Sequence, residues 1–116
     1  MDTSKTRVLV TGAAGMLGSA FTDYLSEKGY IVRALDHTAL DVTNRDAVLK
    51  EQAWKPDWII HTAGIVNVDF CENNRDACFK NHVDGIKNII ALAQATDAKL
   101  FYPQSFLIFD GTENPI

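Results

Sequence analysis

The chain has 116 residues, 47% of them hydrophobic and 22% charged, the proportions of one soluble globular domain with one core. A formal net charge of −4 argues against nucleic acid or an anionic membrane as partner, and no apolar run approaches the ~20 residues a membrane span needs. The polar segment 1–7 leads straight into a strand pattern, without the apolar region and small-residue cleavage site of a signal peptide, so a cytosolic location is expected.

Strand and helix signals then alternate. Residues 7–11 read as a strand. Residues 16–28 read as a helix, with Leu17, Ala20, Phe21, Tyr24 and Leu25 at helical spacing and Gly29 as its stop. Residues 31–35 form a second strand. Thr43-Asn44-Arg45-Asp46 opens a short helix to about residue 53, and Pro56 closes the loop behind it. Residues 58–62 are a third, mostly apolar strand. Two helical stretches follow, 71–79 and 83–95, the second with an apolar face of Val83, Ile86, Ile89, Ile90 and Ala93. Residues 99–103 give a fourth strand, and 107–109 a short extended run ending at Asp110-Gly111. Residues 112–116 are turn-like.

This alternation implies a parallel sheet with helices on both faces. Right-handed crossovers make it doubly wound. The expected fold is therefore α/β: a three-layered, Rossmann-like doubly wound parallel sheet with an incomplete second half. One domain spans 1–116. The fourth strand would be an apolar edge, an aggregation liability. The chain is thus expected to be a fragment, or to have that edge covered by a partner or a second copy. Cys71 and Cys78 match no zinc pattern, and seven residues apart on a helix they are too distant for a disulfide. Two reduced thiols are expected.

The most informative stretch is Thr11-Gly12-Ala13-Ala14-Gly15-Met16-Leu17-Gly18. Strand, glycine turn and helix follow in the order a dinucleotide-binding fingerprint requires. Gly12 allows the sharp turn, Gly15 lets backbone approach a pyrophosphate, and Gly18 lets the helix pack close on the strand. The helix start, at Met16 and Leu17, offers free N–H groups to phosphates. Asp36 ends the second strand, 18 residues after Gly18. A carboxylate there accepts from ribose hydroxyls and repels a 2′-phosphate, which favours NAD slightly over NADP. His37 and Arg33 could soften that preference. A surface Asp capping its own loop is the simpler alternative.

Asp41 could accept from an adenine amino group while Val42 packs on the ring; a turn-forming Asp before the next helix fits the same pattern. Ala63 and Gly64, after His61-Thr62, leave room for a cofactor ribose, or make only a tight turn. His61 reads as a hydrogen-bonded strand-end residue rather than a base. Asn81 precedes Val83-Asp84-Gly85-Ile86-Lys87-Asn88, where its amide would bond nearby backbone and hold the strand bearing the site, or cap the helix. Ser105, just past the fourth strand, could bond a substrate carbonyl during hydride transfer. No metal site is read.

Together these residues resemble the extended short-chain dehydrogenase/reductase superfamily. The glycine motif is similar to its T-G-x-x-G-x-x-G, and Leu40-Asp41-Val42-Thr43, Ala63-Gly64 and Val83–Asn88 to its later motifs in order and spacing. Pro56-Asp57-Trp58-Ile59-Ile60-His61, Val68-Asp69-Phe70-Cys71-Glu72 and 105–111 most resemble the dTDP-4-dehydrorhamnose reductases. The resemblance makes 1–116 the N-terminal portion of an NAD(P)-binding domain, with the substrate domain absent, and implies a nicotinamide cofactor, NAD or NADP, and a nucleotide-linked 4-keto-6-deoxy sugar reduced at C4. It also implies a Tyr-x-x-x-Lys pair as proton donor and its tuner, assisted by a hydroxyl that aligns with Ser105. That pair lies downstream of the Asp-Gly turn in the family. The chain alone is therefore expected to turn over very slowly. Tyr24 and Lys28 match the spacing but fall on the first helix, remote from the glycine turn. Phe106 and Leu107 stand where the family has Asp and Tyr, and His82 where it has Asn. Two rival readings share the fold. One is a non-catalytic dinucleotide-binding subunit, like the reductase-like regulatory subunits of methionine adenosyltransferase. The other is a sugar-nucleotide epimerase or dehydratase.

Overall fold

Runs of β-branched and aliphatic residues separated by amphipathic helices build the sheet. The computed structural model describes residues 5–62 and 75–102 (for 75–79, 81 and 82, the backbone). In chain order these are β1 Arg7–Thr11, α1 Met16–Glu27, β2 Ile31–Leu35, α2 Arg45–Lys50 with a 3-10 turn Glu51–Trp54, β3 Trp58–His61, α3 Arg75–Thr96 and β4 Lys99–Phe101. All strand pairs are parallel, in the order β2-β1-β3-β4. This is the expected Rossmann-like, doubly wound arrangement.

The chain leaves β1 for one side of the sheet and then crosses back to the other. The strand order therefore reverses between β1 and β3, the place where such sheets bind ligands. Thr11 pairs with both Leu35 and His61, so the C-terminal ends of β2, β1 and β3 are level. Gly12, Asp36 and Thr62 follow as one rim.

Alternation along the strands divides the core into two layers. Val8, Val10 and Ile60 face α1, packed with Phe21, Leu25 and Tyr30. Leu9 and Ile59 face α2 and α3, with Leu35, Leu40, Val48, Ile89 and Leu92. The central strands are thus buried on both faces, as their unbroken apolar runs imply. The outer strands are not: Ile31 on β2 and Phe101 on β4 are 40% and 44% exposed. Phe101 meets Phe21 of α1 edge-on, ring centroids 5.8 Å apart.

Three expectations need correction. The helical pattern at 71–79 and 83–95 is one continuous helix over its described part, with Lys80–His82 inside it; the break in apolar periodicity does not break the backbone. The buried face of α3 is Gly85, Asn88, Ile89, Leu92 and Ala93; of the expected apolar face Ile89 and Ala93 are buried, Val83 and Ile86 half-buried, and Ile90 is 41% exposed. A 22-residue helix crossing a narrow sheet needs one stripe, and positions 85, 88, 89 and 92 form it at the i, i+3, i+4, i+7 spacing. The short helix expected to reach residue 53 tightens into the 3-10 turn, and Lys55 then reverses the chain with φ 57°. No helix of the described residues is long and apolar enough to cross a membrane. Cys71 lies outside the described residues.

Candidate functional site

The glycine turn is built as its sequence implies. Gly12 takes φ 64°, the left-handed region in which a Cβ is costly. Its carbonyl accepts from Gly15 N–H at 3.1 Å. Gly15 is then the N-cap of α1, extended, with no side chain capping the helix. The first intrahelical acceptor is the Gly15 carbonyl, bonded by Ser19 N–H at 2.9 Å. The N–H groups of Met16, Leu17 and Gly18 precede that bond, and the first turn carries no acidic residue. Met16 is 90% exposed and Leu17 39%. An open helix start with uncapped donors and a favourable dipole is an anion site in waiting.

Gly18 is buried beneath this turn. A Cβ there would meet the Gly12 carbonyl oxygen and stand 2.8 Å from both Gly12 C and Thr62 Oγ1. The expected close packing of helix on strand is therefore a three-way contact of α1, the turn and the end of β3.

Thr11, His61 and Thr62 are all buried. Thr62 Oγ1 donates to the Thr11 carbonyl at 2.7 Å and reaches the Gly12 carbonyl at 3.2 Å. Thr62 N–H donates to Thr11 Oγ1 at 3.1 Å. Thr11 Oγ1 also shares a 2.8 Å hydrogen bond with His61 Nδ1. His61 stacks at a tilt on Tyr102, 5.3 Å between centroids, and burial raises the Tyr102 pKa. His61 is thus a buried structural group, as its strand-end position suggested. Sequence reasoning missed Thr11 and Thr62 as holders of the turn. Their signal is a hydroxyl closing an otherwise apolar strand, which must find a partner when buried.

Asp36 follows β2 and is half-buried. Its Oδ1 accepts from Thr38 N–H at 3.0 Å and Ala39 N–H at 2.9 Å. The capping role is therefore real, and it leaves Oδ2 without a hydrogen-bond partner among the described residues. Arg33 does not stand free beside it. Its Nε lies 2.6 Å from Glu51 Oε1 and its Nη2 3.3 Å from Oε2. The bond to Glu51 raises the Arg33 pKa against the opposing effect of burial. The suggestion that Arg33 softens the charge of Asp36 is corrected accordingly; His37 remains, exposed.

Asp41 accepts from Thr43 Oγ1 at 2.6 Å and Thr43 N–H at 3.0 Å, both through Oδ1. The hydroxyl first, then the N–H, hold its carboxyl below the usual carboxylate range. The α2 cap is Asn44, whose Oδ1 accepts from Ala47 N–H at 3.1 Å. Val42 packs against the core layer under α3. Asn81 lies inside α3 rather than at its start, so the helix-cap reading of Asn81 is wrong. Ala63, Gly64 and Ser105 lie outside the described residues. Tyr24 is 58% exposed with Lys28 Nζ over its ring at 5.5 Å, on the distal half of α1. Among the described residues no His, Cys, Asp and Glu cluster could hold a metal.

A parallel sheet reversing at β1 and β3, with an uncapped glycine turn at the reversal and an acidic residue at the next strand end, defines a Rossmann-like α/β fold. The chain belongs to the RmlD substrate binding domain family, whose profile matches residues 6–116. It is 33% identical to the dTDP-4-dehydrorhamnose reductase of Aggregatibacter actinomycetemcomitans over 107 residues, 90% of this chain and 36% of that protein. It is 32% identical to the methionine adenosyltransferase 2 subunit beta of Bos taurus over 117 residues, 94% of this chain and 35% of that protein. Among solved structures it superposes on the dTDP-4-dehydrorhamnose reductase of Bacillus anthracis in complex with NADP. There the TM-score is 0.77 and the identity 35%, covering 83% of this chain and 35% of that one. The chain spans about a third of the length of the curated relatives it matches.

Proposed function

We propose that this chain is the cofactor-binding part of an NAD(P)-dependent reductase acting on a nucleotide-linked 4-keto-6-deoxy sugar. The observation that carries the reading is the uncapped glycine turn at the strand-order reversal, in a chain of the same family as the dTDP-4-dehydrorhamnose reductases. The fit to a dinucleotide rests on that turn: a helix start with no side-chain cap and no acidic residue in its first turn to repel a pyrophosphate. When bound, the nicotinamide would supply the hydride.

The N–H groups of Met16 and Leu17 would hold the pyrophosphate, Gly15 would let the backbone approach it, Gly18 would keep the helix start close on the strand, and Gly12 would give the turn its shape. Asp36, through the oxygen not used in its loop, would accept from the adenosine ribose. Its charge favours NAD, whereas the Bacillus anthracis relative is described with NADP; the preference for NAD is a matter for titration. Asp41 and Val42 would meet the adenine, and Ala63, Gly64 and Asn81 would border the path toward the nicotinamide. Ser105 would hold the substrate carbonyl and stabilise the charge that develops on its oxygen.

The likeness to methionine adenosyltransferase 2 subunit beta favours a second reading, a dinucleotide-binding subunit without turnover. One experiment separates them. The protein as its gene encodes it, rather than residues 1–116 alone, is titrated with NADH and NADPH, then given a dTDP-linked 4-keto-6-deoxy sugar. Binding followed by cofactor oxidation supports the reductase. Binding with no oxidation supports the regulatory subunit, and an isomerised sugar without net oxidation supports an epimerase. Absence of dinucleotide binding refutes all three.

A further inference from the structure

The buried stripe of α3 contains a polar residue that the reading above does not use. Asn88 is 7% exposed, on the same face as Ile89 and Leu92. A buried amide there costs stability unless it is bonded. Its Nδ2 donates to the carbonyl of Val42 at 2.9 Å, across 46 residues of sequence. One turn earlier, Gly85 is buried, and a Cβ there would stand 2.9 Å from Val42 Cγ2. Gly85 therefore makes room for the Val42 side chain and Asn88 holds its backbone. The two residues form a socket on α3 for one residue of the loop after β2.

That loop is otherwise fixed at each end. Leu40 N–H bonds the Asp36 carbonyl at 2.9 Å and Leu40 is buried in the core. Asn44 N–H bonds the Asp41 carbonyl at 2.9 Å, and Asn44 caps α2. Between these anchors, Val42 is the residue whose position depends on α3.

We propose that Gly85 and Asn88 are positioning residues for the adenosine half of the dinucleotide, acting through Val42 to set the Asp36–Asn44 loop. This rests on the reading in which a dinucleotide binds at the β1–β3 reversal. Neither residue needs to touch the cofactor.

The test uses the protein as its gene encodes it, with NADH and reduced nicotinamide mononucleotide as probes. Asn88→Leu keeps the bulk and removes the donor, leaving the Val42 carbonyl unpaired. NADH binding is expected to weaken about tenfold, while the mononucleotide, which lacks adenosine, changes less than about twofold. A merely structural role would weaken both probes alike. In the wild type, which requires no variant to fold, the Asn88 side-chain amide resonance is expected to shift with 5′-AMP and not with nicotinamide mononucleotide. The inference is overturned, with dinucleotide binding intact, if Asn88→Leu spares NADH or weakens both probes equally. A silent Asn88 resonance in a protein that binds 5′-AMP overturns it too. If the wild type binds neither NADH nor NADPH, the underlying reading fails instead, and this one with it.

Discussion

Thr62→Val removes one hydroxyl from the seam between β3 and the glycine turn while nearly preserving its volume. The lost proton is the one that Thr62 Oγ1 gives to the Thr11 carbonyl at 2.7 Å and shares with Gly12 at 3.2 Å. Gly12 keeps the N–H of Gly15, and Thr11 stays in the β1–β3 ladder opposite His61, so the variant removes one hydrogen bond and bares neither carbonyl. Thr62 is 5% exposed, and water cannot readily replace the donor. A typical hydrogen bond contributes about 1 kcal/mol net. A loss of about 1 kcal/mol is expected, roughly fivefold in the folding equilibrium. Urea unfolding followed by the fluorescence of Trp54 and Trp58 measures it directly, with the denaturant slope unchanged. Thr62→Ser restores the hydroxyl and should recover most of the loss. Dinucleotide affinity should fall in the Val variant as well, because Gly12 belongs to the turn. A Val variant as stable as wild type, or a Ser variant as weak as Val, would refute the reasoning.

Other perturbations test other joints. Gly18→Ala places a Cβ 2.8 Å from Gly12 C and from Thr62 Oγ1. Overpacking of about 1–3 kcal/mol should exceed the roughly 1 kcal/mol that alanine gains in a helix; a variant more stable by urea titration would show the close approach to be wrong. Asp36→Asn keeps an oxygen for Thr38 and Ala39 but removes the charge. Its affinity ratio should move toward NADPH, and unchanged affinity for both cofactors would exclude the ribose role. Thr43 depresses the Asp41 pKa, so the ionised form is the one the fold favours. That contribution is complete above the unfolded value of about 3.9. It is lost as pH falls through the lower folded value. The difference in urea midpoint between wild type and Thr43→Val should therefore shrink in that acid range and hold constant at neutral pH.

The legible part of the site is the part whose cause is local. A left-handed turn at Gly12, a helix beginning at Met16 and an acidic residue at the end of β2 each follow from neighbours a few residues away. Asp36 and Asp41 were legible only as pairs of alternatives. In each case the structure shows the carboxylate bonded within its own loop, which leaves a ligand role open through other atoms. The burial of His61 followed from its place at the end of a central strand. The place of Asn81 inside α3 is not legible in the sequence, because the apolar pattern lapses at residues 80–82 while the backbone runs straight through that gap.

The sequence by itself determined the alternation of strand and helix, the parallel class of the sheet and the glycine turn. These depend on hydrophobic period and on sterics that a single residue carries. Only the tertiary structure decided that Glu51 takes Arg33, that Thr62 binds the carbonyls of Thr11 and Gly12, and that Asn88 takes Val42. Each of those pairs chooses among many polar residues of similar type, 18 to 51 positions apart in the chain. The choice is made by strand order, register and the rotation of α3 about its axis, which exist only once the sheet has assembled.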